Sequence, residues 1–328
     1  MVASTQISTL RFAWWNVADF AHFDKNRSAH ARWPSSQDEY DDKCCRVDRV
    51  LTKIQSTYGP MHLIGLTEIT RQAAMELKDR LFPNWDVLSV DPGGSKSELT
   101  LAVLWNKEIS LSEDPPLMPS RMPAGARPMV VMDFKYELEW IRFIFCHWVA
   151  FDGEMSDKYR RWQADYLSSH AYSYLKDTDS GFRKHLVIAG DFNTEPYGLM
   201  QTYLSAHKHR KRAMDSHYRD EDVERVNLYN CAWRFTGEKW PHGEGLAKGF
   251  VDGAGTYYYR EEKSWHTFDQ LIVDSTLLTD RKPYLDEKNV EIIYMDEAVD
   301  RDGLPRKFDS KTHGVSDHVP LVGCLVLR

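Results

Sequence analysis

The sequence IAGDFNTEP, residues 188–196, continues an apolar run that begins at Leu186. The run has the length of a buried strand, and Asp191 and Asn193 come where it ends. One interpretation is an ordinary turn, because Gly, Asp and Asn are the usual turn residues. The other is a functional site in which a rigid strand presents a carboxylate and a carboxamide. The rest of the chain has to decide, because a short motif alone carries a real risk of a false positive.

Composition is that of an ordinary globular protein, with 328 residues, of which 42% are hydrophobic and 28% charged. This length could form two domains, but one large α/β domain also fits, and we expect a single domain over residues 1–328. The formal net charge of −7 disfavours a protein that grips nucleic acid only by neutralising phosphates. The negative charge does not exclude an enzyme, because bound divalent cations change the electrostatic field around a site.

Membrane and secretion signals are weak throughout the chain. No apolar run approaches the roughly 20 residues that a membrane helix needs, and residues 1–15 lack a basic region followed by an apolar one. Five cysteines, two of them adjacent at positions 44 and 45, do not form a disulfide framework and fit a reducing compartment. We therefore expect a cytoplasmic protein without a membrane span, and its oligomeric state stays open.

Strand and helix signals are mixed along the chain. Apolar spacing predicts helices over 41–58, 73–81, 157–175 and 197–206. It predicts strands over 9–17, 62–66, 86–90, 99–105, 129–134, 140–149, 186–189, 267–273 and 319–327. Several strands follow one another without an intervening helix. This order is not a strict βαβ alternation, and it favours sheets packed on each other with helices outside.

Other apolar runs also have a polar side chain at or near one end. They carry Asn16 in WWNV, Glu68 in LIGLTEIT, His147 in FIFCHWV, Asp269 in TFDQLIVD, and Asp317 with His318 in GVSDHVPLVG. Each alone has a structural explanation, such as a turn, a helix cap or a core histidine. Together they supply hard oxygen ligands suited to Mg²⁺ or Mn²⁺ and two histidines that can change charge near neutral pH. Hydrolysis of a phosphate ester needs this combination.

The six stretches, in this order, resemble the endonuclease/exonuclease/phosphatase superfamily, which includes deoxyribonuclease I, abasic-site endonucleases, deadenylases and inositol polyphosphate 5-phosphatases. The resemblance covers residues 14–318. TEIT stands where QE is commoner, and FDQ stands where IDY is commoner. The resemblance implies an α/β four-layer sandwich, in which two mainly antiparallel or mixed β-sheets are flanked by helices.

The resemblance also implies roles for individual residues. It makes Mg²⁺ or Mn²⁺ the cofactor, with Glu68, Asn16 and Asp317 as metal ligands. It gives catalytic roles to Asp191, which orients or deprotonates water, to Asn193 and His147, which hold the phosphate, and to His318 paired with Asp269, which stabilises the developing negative charge.

Fold does not choose the substrate. The TEPYG that follows Asn193 differs from the YR of the 5-phosphatases and is similar to deadenylase-type and bacterial nuclease-like members. We expect a metal-dependent phosphodiesterase that acts on DNA or RNA. The alternatives are an enzyme for a small phosphorylated molecule, such as an inositol phosphate, and a non-catalytic binding module. Trp233 lies just before a Gly-rich segment, 236–256, and Trp240 lies within it. Packing is one role for such rings, and our hypothesis is that these two bind substrate by stacking on a base.

Overall fold

The computed structural model describes residues 7–25, 33–91, 98–109, 127–150, 153–177, 181–215, 225–237, 255–301, 304–309, 311 and 314–328. Its helices are α1 (Gln37–Tyr58), α2 (Arg71–Leu81), α3 (Glu154–Lys176), α4 (Leu199–Thr202) and α5 (Arg210–Met214). Its strands are β1 (Thr9–Phe20), β2 (Leu63–Thr70), β3 (Trp85–Val90), β4 (Leu99–Asn106), β5 (Met129–Tyr136), β6 (Glu139–His147), β7 (Arg183–Asp191), β8 (Ala206–His207), β9 (Leu228–Asn230), β10 (Tyr257–Tyr259), β11 (Ser264–His266), β12 (Asp269–Asp274), β13 (Tyr284–Leu285), β14 (Glu291–Ile292) and β15 (Leu321–Val326).

Two large mixed sheets form the centre of the structure. The first runs in the order β13-β15-β1-β2-β4-β3, with β14 also paired to β15. The second runs in the order β5-β6-β7-β12-β9-β8. β1 and β2 are parallel, as are β6 and β7, whereas most other neighbours are antiparallel. A separate hairpin, β10–β11, stands apart from both sheets.

The layers follow from the two-residue alternation of side chains along each strand. On β1, Phe12 and Trp14 face the second sheet and pack with Phe145 of β6 in one buried cluster. Ala13 and Trp15 face the other way, into a cluster with α1 and α2. A third cluster packs α3 on the outer face of β6 and β7. The order helix, sheet, sheet, helix is the four-layer sandwich that the resemblance implies.

Capping residues explain where α1 and α2 begin. The Ser36 side chain accepts a hydrogen bond from the backbone N–H of Glu39 at 3.2 Å, which is the favoured arrangement at a helix start. Thr70, the last residue of β2, caps α2 in the same way through Ala73 at 3.4 Å. α2 therefore begins directly where β2 ends, and this fixes the strand end that carries Glu68.

The helix predicted over 197–206 is mostly wrong. Only Leu199–Thr202 is helical. Gly198 and Ser205 bound it with positive φ angles of 60° and 56°, a backbone conformation that does not continue an α-helix. Ala206–His207 then pairs with β9 as a strand. Tertiary pairing here overrides the local apolar spacing.

Two further predictions bear on the chain as a whole. All five cysteines are free thiols, as their number and spacing predict. Within the described residues, no helix combines the length and the apolar character that crossing a bilayer requires. The single domain over residues 1–328 stays a prediction.

Candidate active site

Three neighbouring strands of the second sheet bring His147, Asp191 and Asp269 side by side. His147 ends β6 and is the register partner of Asp191, which ends β7. Asp269 begins β12 and is the antiparallel partner of the same Asp191. Gly190 makes this close pairing possible, since a Cβ atom there would lie 2.3 Å from the Cys146 carbonyl oxygen. Glycine in the GDFN motif is therefore required by packing against β6.

The first sheet contributes Asn16 and Glu68 from the neighbouring strands β1 and β2. The Asn16 Nδ2 atom donates to Glu68 Oε1 at 3.3 Å and to Asp191 Oδ2 at 3.0 Å. One buried carboxamide therefore joins the two sheets at this edge. The oxygen atom Asn16 Oδ1 accepts from the backbone N–H of Ala18 at 3.0 Å, so the side chain is held at both ends.

Both strands are irregular where they carry these side chains. Glu68 has a φ of 58°, and Ala18 and Asp19 have φ angles of 43° and 51°. The β1–β2 register shifts between Asn16 and Phe20. Left-handed backbone is uncommon for residues other than glycine, and such residues cluster at functional sites. Here the bulge lets the Asp19 N–H donate to Glu68 Oε2 at 3.2 Å.

His318 and Asp269 form a buried pair with a Nδ1–Oδ2 distance of 2.7 Å. Two tryptophans of β1 support it from opposite faces. Trp14 donates its indole N–H to Asp269 Oδ1 at 2.7 Å, and Trp15 donates to the His318 carbonyl oxygen at 3.0 Å. The Nε2 atom of His318 lies 3.8 Å from Asp191 Oδ2. The WWN segment thus positions both the pair and Asn16.

Charges within this cluster shift its proton affinities. Burial alone lowers the pKa of His318, but the carboxylates of Asp269 and Asp191 outweigh burial and raise it to about 10. Burial raises the pKa of Asp191 to about 6, against the opposing charge of His318. At neutral pH His318 is an imidazolium, and Asp191 is largely ionised.

The charge state of His147 is the opposite of that of His318. Burial, and then the charges of Arg127 and His318, hold its pKa well below the usual range, so the ring is neutral. Its Nδ1 atom lies 2.5 Å from Thr67 Oγ1, and the Arg127 guanidinium contacts the ring nitrogens. Its Nε2 atom lies 3.6 Å from Asp191 Oδ2 and 3.9 Å from Glu68 Oε1.

Asn193 follows Asp191 in a turn with a φ of 47°. Its backbone N–H donates to Asp191 Oδ1 at 2.9 Å, and its Nδ2 atom donates to the Trp148 carbonyl oxygen at 2.9 Å. Arg160 of α3 donates to the Asn193 carbonyl oxygen at 2.8 Å. The motif is therefore a turn in which the Asp191 side chain bonds its own backbone two residues on, and the same turn borders the cluster.

Gln270, the residue that departs from the commoner motif, is fully buried. Its Nε2 atom donates to the carbonyl oxygens of Thr194 and Thr267 at 2.6 and 3.0 Å, and its Oε1 atom accepts from Asn230 at 2.8 Å. Gln270 thus ties the segment after Asn193 to β12 and β9. Its hydrogen bonds fix the loop that follows the GDFN motif.

Asp317 joins the cluster through a lysine. Lys307 Nζ lies 3.7 Å from Asp317 Oδ2 and 3.2 Å from Asp19 Oδ2. Burial raises the pKa of Asp317, whereas His318 and Lys307 oppose that rise. Burial also raises the pKa of Glu68, but Lys307, Arg127 and His318 outweigh burial and lower it below the usual value.

A buried lysine of α1 supports the two segments that carry Asn16 and Asp317. Lys43 Nζ donates to the carbonyl oxygens of Val17 at 2.8 Å and Ala18 at 3.0 Å, and also to that of Val315. Burial lowers the pKa of Lys43 to about 7, against the opposing effect of nearby carboxylates. Three carbonyl acceptors compensate for the loss of water around the amine.

Sequence reasoning missed Asp19, Lys43, Arg127 and Lys307. Asp19 could have been found from its place three positions after Asn16, and Arg127 from its place just before β5. Lys43 and Lys307 carry no local signal. Each lies in a polar stretch of sequence and reaches the cluster only through contacts with distant segments.

Of the two residues predicted to stack on a base, the structure describes Trp233 but not Trp240. The Trp233 ring lies 5.8 Å from the Tyr197 ring, measured between centroids, and the Lys208 ammonium lies 5.3 Å from the Trp233 centroid. Tyr197 is 51% exposed, so this aromatic pair reaches the surface. Trp240 and most of the Gly-rich segment lie outside the described residues.

The cluster fits a hard divalent cation. Its carboxylate oxygens are the type of ligand that Mg²⁺ and Mn²⁺ prefer. Single ligand atoms of Asp191, Asp269 and His318 lie within 4.8 Å of one another. His318 is a poor metal ligand while it is protonated and bonded to Asp269, which leaves the carboxylates as the better ligands. Asn16 presents its Nδ2 atom to Glu68 and Asp191, and its Oδ1 atom is bonded to the Ala18 N–H.

Comparison with known proteins agrees with this geometry. The sequence profile of the Endonuclease/Exonuclease/phosphatase family matches residues 17–325. The chain belongs to this family. Members of the endonuclease/exonuclease/phosphatase family are phosphoesterases and generally use a divalent metal. The resemblance drawn from the six motifs is therefore confirmed.

Solved structures of family members share the fold. A mannosyl-6-phosphatase from Bacteroides thetaiotaomicron is 14% identical with a TM-score of 0.57, covering 97% of this chain and 100% of the other. D. rerio TDP2 complexed with a single-strand DNA product is 14% identical with a TM-score of 0.55, covering 97% and 99%. A family protein from Bacteroides vulgatus is 15% identical with a TM-score of 0.56, covering 98% and 100%. No curated protein matches the sequence significantly.

Proposed function

We propose that this member of the endonuclease/exonuclease/phosphatase family is a divalent-metal-dependent phosphodiesterase that cleaves nucleic acid. One observation carries the proposal. The Asp191 Oδ2 atom lies 3.0 Å from Asn16 Nδ2, 3.6 Å from His147 Nε2 and 3.8 Å from His318 Nε2. A single carboxylate therefore faces an amide, a neutral imidazole and an imidazolium. This is a suitable setting for a base beside an anionic substrate.

The proposed roles follow from charge. A phosphodiester is anionic and repels hydroxide, so the site must bring positive charge to the phosphorus. The imidazolium of His318 donates a hydrogen bond to the oxygen on which charge develops, and Asp269 holds it in position. Asp191 orients the attacking water and takes its proton, and a pKa of about 6 suits a base that works near neutral pH.

Other groups bind the phosphate and the metal. His147 is neutral and can donate one hydrogen bond to a phosphate oxygen. Asn193, whose Nδ2 atom donates to the carbonyl oxygen of the next residue, Trp148, is its proposed partner in holding the phosphate. Glu68 and Asp317 would hold Mg²⁺ or Mn²⁺, which when bound neutralises charge on the phosphate oxygens. Asn16 would join them by turning its Oδ1 atom from the Ala18 N–H toward the ion. Arg127 adds a further cation next to His147 and extends the set that the sequence predicts.

Nucleic acid is the proposed substrate on two grounds. D. rerio TDP2, whose fold this chain shares, is found with a single-strand DNA product. Near the turn at Asn193, the exposed Tyr197 and its partner Trp233 offer ring surfaces for stacking. A small phosphorylated substrate is the second candidate. The mannosyl-6-phosphatase shares the fold over 97% of this chain, as D. rerio TDP2 does.

The decisive experiment is a substrate panel with and without Mg²⁺ and Mn²⁺. It compares labelled single-stranded DNA, double-stranded DNA, RNA and inositol phosphates. Metal-dependent release of nucleotides or shorter oligonucleotides supports the proposal. Release of inorganic phosphate from small molecules alone supports the second candidate. Retention of an oligonucleotide with no hydrolysis of any substrate would indicate a non-catalytic binding module.

A further inference from the structure

A lysine ammonium lies among the carboxylates of the candidate active site. Lys307 Nζ is 3.2 Å from Asp19 Oδ2 and 3.7 Å from Asp317 Oδ2. Among the cations that lower the pKa of the Glu68 carboxyl group, Lys307 has the largest effect. Lys307 thus places a positive charge of the chain beside three carboxylates, two of which, Glu68 and Asp317, are proposed metal ligands.

The backbone brings Lys307 to this place. Lys307 forms an isolated parallel bridge with Val315, two residues before Asp317. Gly314 allows the close approach, because a Cβ atom there would lie 2.4 Å from the Lys307 carbonyl oxygen. The side chain then crosses to Asp19 in the bulge of β1. The Lys307 side chain is 44% exposed, so this residue lies at the edge of the cluster.

We propose that Lys307 is a resident cation of the active site that limits how tightly the site binds a divalent ion. This inference rests on the proposed function, because it takes Glu68 and Asp317 as metal ligands. The ammonium and the divalent ion attract the same carboxylates and repel each other. The presence of Lys307 therefore weakens ion binding while adding fixed positive charge beside the phosphate.

A unit charge several ångströms from a divalent ion changes its affinity by about 10-fold or more, even in a medium as polar as water. Lys307→Met removes the charge and keeps most of the length of the side chain. It should bind a divalent ion at least about 10-fold more tightly and turn over substrate more slowly. A variant whose site had merely become disordered would lose both affinity and turnover.

The test measures Mn²⁺ binding without substrate, by the electron paramagnetic resonance signal of free Mn²⁺. Lys307→Arg, which keeps the charge, should match the wild type. Lys53→Met, on an exposed position of α1, is the control for a lysine far from the site. Circular dichroism checks the fold, and Lys307→Gln replaces Lys307→Met if the latter does not fold.

Tighter Mn²⁺ binding in Lys307→Met alone supports the inference. Equal or weaker binding in a folded Lys307→Met or Lys307→Gln would overturn it, as would equal tightening in Lys307→Arg. Because no substrate is present, the result stands apart from the substrate panel. A chain that cleaves no phosphodiester but gains Mn²⁺ affinity in Lys307→Met would overturn the proposed function and support this inference.

Discussion

The Nδ1 atom of His318 lies 2.7 Å from the Oδ2 atom of Asp269, although 49 positions separate the two residues in the sequence. Both side chains are buried, and the second carboxylate oxygen of Asp269 accepts from Trp14. The imidazole is therefore held in one orientation, with Nε2 on the side of Asp191. The charge of His318 depends on this pair, which makes the pair testable by pH.

Asp269→Asn should change the pH dependence of turnover. Asparagine keeps the size and an oxygen for Trp14 but removes the charge that, after burial, acts most strongly on His318. In the wild type a pKa of about 10 keeps His318 protonated until the pH approaches that value. Without the carboxylate the proton leaves at lower pH, so the alkaline limb of the kcat profile should move down by at least about one pH unit. The kcat profiles of the two proteins are compared between pH 6 and 10.5. An alkaline limb at the same pH in Asp269→Asn as in the wild type would contradict the role of His318.

Asp191→Asn should lower kcat by about 10²-fold or more, the scale expected for loss of a general base. The carboxamide fills the same space but cannot take a proton from water. We expect losses of the same order for Glu68→Ala and His318→Ala. Asp280→Asn, at an exposed position, is the matched control and should keep normal turnover. Steady-state kinetics on the best substrate of the panel provides the measurement, and near-normal kcat in folded Asp191→Asn would refute the assignment.

Lys43→Met should destabilise the protein. The substitution leaves the carbonyl oxygens of Val17, Ala18 and Val315 without their buried donor. Each such loss costs about 1–3 kcal/mol, so the free energy of unfolding in urea should fall by about 3 kcal/mol or more. Unaltered stability in folded Lys43→Met would show that the amine contributes little.

Trp233→Ala combined with Trp240→Ala should raise KM for an oligonucleotide by about 10-fold, the scale of losing one stacked base. We expect little change in kcat, since neither ring is assigned to the chemistry. Trp162→Ala is the control, because Trp162 is 38% exposed on α3 and packs edge-on against Tyr159. An unchanged KM in the double variant would exclude these rings from substrate binding.

His170→Gln should make stability less sensitive to acid. Burial, and then the charge of Arg142, lowers the pKa of His170 to about 4, and its Nε2 atom faces Arg142 Nη1 at 3.0 Å. Its unfolded-state pKa is about 6.5, so the unfolded chain binds the proton first. Stability therefore falls as the pH drops from about 6.5 toward 4. Between pH 7.5 and 4.5 the wild type should lose about 2 kcal/mol more than the variant. Urea unfolding at both pH values measures the difference, and equal losses would contradict this account.

Local sequence was enough to predict the layers and the main strands of the site. The apolar run before Asp191, the paired tryptophans before Asn16 and the apolar run ending at His147 are periodic signals that the fold preserves. Sequence also predicted most members of the cluster, because the polar residues at the ends of six apolar stretches, taken together and in order, resemble the motifs of the family. It was wrong over 197–206, where pairing of β8 with β9 outweighs helical spacing.

Tertiary structure alone decided which cations complete the cluster. Lys307 and Asp19 lie 288 positions apart, and Lys43 and Val315 lie 272 apart, so no local pattern can join them. A lysine in a polar stretch reads as a solvated surface residue until folding places carboxylates or carbonyl oxygens around its amine. Periodicity records which side of a strand or helix is buried, whereas electrostatic partnership depends on distances that exist only after the two sheets have packed.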